Sequence, residues 1–304
     1  MQINESAREI QIIASPFAAF QGGITDKLYL KKMKVARRDD IRRLKMNGVE
    51  IIDTNAENIF TYGICGYSNV KRPGFLEKVE WLKERFSEGM NVKTLYSQKD
   101  GTQGMIEYIP GEYCWRPVEA IGYMFIHCIF VGFKREFKNK GYGTILLNEC
   151  IEDARKEKMS GVAVTTRKGA FMAGKDLFVK NGFETVDTAP PDFELLVNKF
   201  REDTPAPRFK GNWKARLNAY REGLTIIRSD QCPYTVKNVR EIEKVAREDF
   251  GMQPNIITLK NHEEAQNSPC PFGTFCIVLN GECIAYHPIS KARFVNIMNT
   301  LKGI

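Results

Sequence analysis

At 304 residues, with 43% hydrophobic and 27% charged side chains, the chain has the make-up of an ordinary folded protein with room for two domains, which excludes disorder throughout. A formal net charge of +8 suits nucleic acid, an anionic surface or a polyanionic ligand, but the basic residues are interspersed with acidic ones, so charge alone assigns no partner. Eight cysteines without a C-x-x-C pair argue against a disulfide scaffold or a zinc ribbon, and the longest apolar stretch, residues 121–133, is broken by His127 and is shorter than the ~20 residues of a membrane span.

Residues 1–45 differ in character from the rest of the chain. An apolar stretch at 10–20 has no basic segment ahead of it, and Glu5, Arg8 and Glu9 stand where a signal peptide would build its hydrophobic region, so a cytoplasmic, reducing setting is expected. The run 31–45, with Arg37-Arg38-Asp39-Asp40, reads as a solvated helix or tail, with a nucleic-acid arm as the lesser reading. Met46 is an alternative start, which would make this basic extension accessory.

An α/β domain is expected over 46–200. A strand at 49–52 precedes helical periodicity at 59–67 and 74–90, where Phe75, Val79, Leu82 and Phe86 share one face. Strands follow at 91–97, 105–109 and 122–133, then a helix at 143–158, a buried strand at 161–166, a helix at 170–181 and a strand pair at 183–186 and 193–197. Residues 201–222, with Pro205 and Pro207 and little apolar periodicity, read as a linker. A second module over 223–304 has strand 224–228, helix 234–249, strands 255–259 and 274–279, the hairpin dipeptide Asn280-Gly281, strand 282–287 and a closing helix from Lys291.

The strongest local signal is Lys138-Asn139-Lys140-Gly141-Tyr142-Gly143-Thr144, running from a strand directly into a helix. Two glycines allow the backbone to approach a bulky anion, and the free N–H groups and positive dipole end of the helix point at it. Downstream lies Asp176-Leu177-Phe178-Val179-Lys180-Asn181-Gly182-Phe183-Glu184. Together the two segments resemble the GNAT acyltransferase superfamily, whose pyrophosphate loop follows Q/R-x-x-G-x-G/A and whose later helix ends in L-Y-x-K-x-G-F. The resemblance implies a mixed, splayed central sheet flanked by helices, with acetyl-CoA wedged between two strands as the acyl-donor substrate and no metal. It places the pantetheine along Val131, Gly132 and Phe133 and the pyrophosphate on the amides of Lys138, Asn139, Lys140, Gly141, Tyr142, Gly143 and Thr144. Two departures stand out. Lys138 replaces the usual Gln or Arg, losing a planar fork but keeping charge, and Phe178 replaces the tyrosine that commonly protonates the departing thiolate.

Fourteen residues before the first loop glycine, where relatives often carry a glutamate base, stands His127, on the strand face shared with Ile129 and Val131. Its ordinary pKa suits a general base, and the competing reading is a core histidine bonded to a backbone carbonyl. The loop 109–119 is dense in aromatic and charged groups; Glu112, Tyr113, Trp115 and Arg116 are expected to wall an acceptor pocket, with Glu112 or Glu119 holding the acceptor ammonium, against the reading of a packed surface loop. Cys114 and Cys128 are disfavoured as acyl-enzyme nucleophiles.

The second module resembles a thioredoxin-like domain of the YoaP type, extending to Pro271-Phe272-Gly273-Thr274-Phe275 and the hairpin after it. Cys232-Pro233-Tyr234-Thr235 occupies the position of the thioredoxin C-x-x-C, with Thr235 in place of the second cysteine. Cys232 at a helix start is a candidate reactive thiol, with Cys270 as a conceivable partner. An acceptor-shaping module is favoured over a thiol or soft-metal site, and redox chemistry comes last. The leading expectation is an acetyl-CoA-dependent N-acetyltransferase acting on a small-molecule or peptide amine, with no membrane and nucleic acid disfavoured. The alternative is a non-catalytic acyl-CoA sensor with a degenerate site, which Phe178 encourages.

Overall fold

Seven strands form the main sheet of the chain. The computed structural model describes residues 48–303 apart from Ser68 and Phe133, so the basic extension 1–45, the alternative start at Met46 and the predicted pantetheine contact at Phe133 lie outside the described residues. The sheet contains β1 (Val49–Thr54), β2 (Asn91–Ser97), β3 (Gly101–Pro110), β5 (Met124–Val131), β6 (Gly161–Thr166), β7 (Glu184–Ala189) and β8 (Phe193–Lys199). Its spatial order is β1-β2-β3-β5-β6-β8-β7, antiparallel except where β5 meets β6.

The strands are long runs of branched and aromatic residues, and β6 is buried along its whole length, as a central strand covered on both faces must be. The helix Tyr142–Lys156 covers the sheet with Leu146, Leu147, Cys150 and Ala154. The helix Phe75–Phe86 turns Phe75, Val79 and Leu82 inward, and Lys78 lies in the same buried stripe. Each large apolar side chain buried in this way contributes about 1.5–3 kcal/mol.

Two predicted helices are much shorter than their periodicity implied. Only Ile59–Tyr62 is helical in the first, because Gly63, Cys65 and Gly66 adopt positive φ; only Lys175–Val179 is helical in the second, with Phe171 at φ 64° ahead of it. In both places local backbone conformation overrides a helical apolar pattern.

A four-stranded sheet comes next in the chain, built from β10 (Leu224–Arg228), β11 (Asn255–Thr258), β12 (Phe275–Leu279) and β13 (Glu282–Ala285) in the order β11-β10-β12-β13, with β10 and β11 parallel. The helices Tyr234–Glu248 and Lys291–Lys302 pack against each other and share a buried core with its strands. Asn280 and Gly281 both have positive φ, the backbone a two-residue hairpin requires. Residues 201–222 carry ordered elements of their own. Within them β9 (Arg208–Phe209) pairs with β4 (Val118–Glu119), and a helix spans Trp213–Leu217. Among the described residues no helix is long and apolar enough to cross a membrane.

Candidate active site

β5 and β6 share register only at Met124–Val162, Phe125–Ala163 and Ile126–Val164. Beyond that point β5 stays paired with β3 as far as Val131, and β6 stays paired with β8 as far as Thr166. The two strands therefore splay, and the outer half of β5 faces a cavity of about 370 Å³ instead of a neighbouring strand. Val131 and Gly132 line this cavity.

At the mouth of the wedge the chain crosses itself. Gly132 has φ +85°, its N–H donates to Gln103 O at 2.7 Å, and a Cβ there would lie 2.7 Å from Lys138 Cγ, so only glycine lets Lys138 pass. Lys138, Asn139, Lys140 and Gly141 are exposed. Asn139 and Gly141, at φ 57° and 79°, steer the loop into the helix Tyr142–Lys156. That helix starts without a side-chain cap and without an acidic residue in its first turn, so no local carboxylate offsets its positive dipole end. Asn181 Nδ2 holds the start of the helix by donating to Thr144 Oγ1 at 3.3 Å and to Leu177 O at 2.7 Å. Phe178 is fully buried, 5.5 Å from the Phe183 ring, and presents carbon alone to the cavity.

The inner end of the cavity is polar, and both sheets build it. Glu107 on β3 is 1% exposed; its Oε2 accepts from Lys78 Nζ at 2.5 Å and its Oε1 from Gln231 Nε2 at 3.0 Å. Burial by itself would raise the Glu107 carboxyl, but the Lys78 ammonium holds it down at about 2. Arg116 is 3% exposed, and its guanidinium donates to the carbonyls of Trp115 and His127, to Gln231 Oε1 at 3.2 Å and to Thr274 Oγ1 at 3.1 Å. Gln231, Cys232, Tyr234 and Phe272 bring the C-terminal sheet to the cavity wall.

His127 lines the cavity in a form different from the one anticipated. Its Nε2 accepts from Trp115 N–H at 2.9 Å, and its Nδ1 faces Glu107 Oε1 at 3.6 Å, longer than a hydrogen bond. Burial pushes its pKa down to about 4. This pattern assigns the proton to Nδ1, so the lone pair a general base needs is already occupied by Trp115. His127 thus stands between the Trp115 amide, from which it accepts, and Glu107, which its Nδ1 faces without a hydrogen bond.

Most of the acceptor loop lies away from the cavity. Of its four candidates only Arg116 reaches the cavity. Trp115 is fully buried against Trp81, with ring centroids 5.1 Å apart. Glu112 is exposed and its carbonyl accepts from Gln266 Nε2 at 2.9 Å; the half-exposed Tyr113 ring stands 5.2 Å from His262. Gly273 presses so close that a Cβ would lie 2.5 Å from Trp115 O. This loop is the platform on which the C-terminal sheet docks.

Cys232 lies just before the helix Tyr234–Glu248, where dipole stabilisation of a thiolate was expected. Burial wins over the nearby helix amides and pushes the thiol up to about 11, so it is protonated at neutral pH. Cys270 gathers with Cys276 and Cys283, whereas Cys232 shares the cavity wall with Cys65 and Cys128.

Sequence reading overlooked Glu107, Lys78, Gln231 and Phe272. A glutamate between Ile106 and Tyr108 in a buried strand, and a lysine in the apolar stripe of the helix Phe75–Phe86, were signals available in the pattern.

The chain is similar to known proteins. Residues 72–183 match the family described as Acetyltransferase (GNAT) family, and residues 254–296 match the family described as YoaP-like. A Bacillus subtilis (strain 168) protein named "Uncharacterized N-acetyltransferase YoaP" is 30% identical over 254 residues, which is 82% of this chain and 98% of that protein. Solved structures with similarity include a GNAT-family acetyltransferase from Staphylococcus aureus, with 13% identity, 50% of this chain and 99% of that one covered and a TM-score of 0.36. Another is the PaiA N-acetyltransferase of Thermoplasma acidophilum in complex with coenzyme A, with 17% identity, 50% and 99% covered and a TM-score of 0.35.

Proposed function

This chain belongs to the GNAT acetyltransferase family, and from that premise we propose that it transfers an acetyl group directly from acetyl-CoA to the amine of a small, carboxylate-bearing acceptor. The observation that carries the reading is the splay of β5 from β6 beyond Ile126, with the glycine loop at one end of the cavity it opens and Arg116 at the other. The edge of β5 that turns from β6 toward the cavity is suited to the pantetheine amides, and the loop amides with Lys138 and Lys140 to the pyrophosphate. The acetyl thioester then sits beside Glu107, Gln231 and Arg116, where a held amine attacks its carbonyl and the CoA thiolate leaves.

The acceptor class follows from charge. The Glu107 carboxylate is engaged by Lys78, while the hydrogen bonds of the buried Arg116 go to neutral oxygens. A guanidinium in that position favours an anionic group on the ligand, and a carboxylate matches its planar fork. With the His127 lone pair occupied, the proton of the acceptor ammonium leaves to water. In place of the tyrosine missing at Phe178, Tyr234 is the proposed proton source for the thiolate; it lines the cavity, and its hydroxyl donates to Cys65 O at 3.3 Å.

The test mixes the purified chain with acetyl-CoA and paired amines, each amino acid beside its decarboxylated counterpart, and follows thiol release. Faster turnover of the acids is expected, and turnover of the decarboxylated amines alone overturns the acceptor class. Acetyl-CoA binding without thiol release from any amine would support the sensor reading, which Phe178 favours.

A further inference from the structure

The C-terminal sheet contains a group of side chains that the acetyl-transfer site does not use. Cys276 lies on β12 and Cys283 on β13; Val278 pairs with Cys283, so Cys276, two residues earlier, projects from the same face. Cys270 reaches the same point from the loop that precedes β12. The three Sγ atoms lie within 4.8 Å of one another, and Cys270 and Cys276 are fully buried. Three thiolates around one ion, at a metal–sulfur distance of ~2.3 Å, stand about 3.8–4 Å apart, so only a small contraction is needed.

A second observation points the same way. Phe272 N–H donates to Cys270 Sγ at 3.4 Å, and the Gly273 amide also acts on that sulfur, in a turn where Gly273 has φ +78° and its N–H bonds Cys270 O at 2.9 Å. Backbone amides aimed at a buried sulfur stabilise its thiolate, the form that ligates metal. The cluster contains neither imidazole nor carboxylate, which leaves a purely soft donor set.

We propose that Cys270, Cys276 and Cys283 form a binding site for one soft, thiophilic metal ion. On binding, each ligating thiol gives its proton to the buffer and forms a metal–sulfur bond without change of oxidation state. In the metal-free protein the Cys270 proton is directed at the carbonyls of Tyr286 and Phe275, 3.6 and 3.7 Å away. The ion would tie the β12–β13 hairpin to the loop 270–274. That loop supplies Phe272 to the cavity, brings Gly273 against Trp115 and offers Thr274 Oγ1 to Arg116. The site thus braces the wall of the acetyl-transfer cavity, although its existence does not depend on that reaction.

The experiment treats the reduced full chain with a chelator, then titrates it separately with Zn(II) and with Cu(I) against a chromophoric competitor, reading stoichiometry by native mass spectrometry. About one ion per chain is expected from at least one arm, with proton release and a raised thermal midpoint. The arm that binds more tightly identifies the ion: four-coordinate Zn(II) recruiting a further oxygen, or three-coordinate Cu(I). Cys283→Ala should lose more than the ~10–100-fold that outer-shell partners are worth, while Cys150→Ala retains uptake. As a check that needs no variant, metal should protect Cys270, Cys276 and Cys283 of the wild-type chain, but not Cys150, from a maleimide in mild denaturant. Uptake unchanged in Cys283→Ala, no uptake of either ion by the folded reduced chain, or equal labelling of all four thiols with and without metal overturns the site.

Discussion

The mouth and the floor of the cavity are made in opposite ways. At the mouth, the loop 138–144 is contiguous in sequence, exposed over 138–141, and its proposed role runs through its backbone, so it depends on two glycines and a helix start. At the floor, Lys78, Glu107, Arg116 and Gln231 come from a helix, a strand, a loop and the second sheet, and they act through buried side chains. A backbone site tolerates change in its side chains, whereas a buried polar network fails when one member is removed.

The largest effect should therefore come from the floor. Glu107→Ala leaves Lys78 buried without its carboxylate, and a loss of about 3–5 kcal/mol is expected in a denaturant melt. A loss below about 1 kcal/mol, in the range of exposed ion pairs, would remove the contrast between the two regions.

Acid should also attack the floor first. The pKa of His127 is depressed from 6.5 to about 4, so between those values the unfolded chain binds a proton that the native chain does not. Stability is full above the unfolded value and falls as the pH drops through that window. Glu107, depressed from 4.5 to about 2, extends the loss to lower pH. Melts from pH 7 down to 4 should show a decline that flattens in His127→Gln, and an unchanged curve in that variant would refute the linkage. With the His127 lone pair engaged by the Trp115 amide, the same variant should retain the wild-type pH profile of kcat/KM between pH 6 and 8, and loss of a limb near neutrality would mark it as the base.

Arg116→Lys should raise the KM for a carboxylate-bearing acceptor by ~10–100-fold, the worth of a charged hydrogen bond, with the KM for acetyl-CoA unchanged. Gly141→Val should show the reverse split. A side chain at φ 79° is strained by about 1–2 kcal/mol per residue, which predicts a rise of ~10-fold in the KM for acetyl-CoA and little change for the acceptor. Steady-state kinetics with each substrate varied in turn measures both, and parallel shifts would show that mouth and floor are not separate. Least affected should be Tyr113→Ala, within about 0.5 kcal/mol in stability and near wild-type in turnover, because its ring is on the docking rim.

The differences between sequence and structure fall along the same division. The hairpin at Asn280-Gly281, the buried strand β6 and the helix Tyr142–Lys156 were legible because each is specified by neighbours in the chain. The short helices Ile59–Tyr62 and Lys175–Val179 were over-read, since apolar periodicity does not reveal the positive-φ residues that interrupt it. His127 was picked out by its spacing from the glycine loop, and spacing cannot show that a backbone amide 12 residues away takes its lone pair.

By itself the sequence determined the family, the sheet-forming runs and the glycine loop that leads into a helix, all of which rest on contiguous residues and backbone geometry. The tertiary structure alone decided that the loop 109–119 is covered by the second sheet, that Glu107 and Lys78 neutralise each other inside the protein and that three separated cysteines meet at one point. Those outcomes depend on burial and on pairing between distant segments, and neither is encoded in any local pattern.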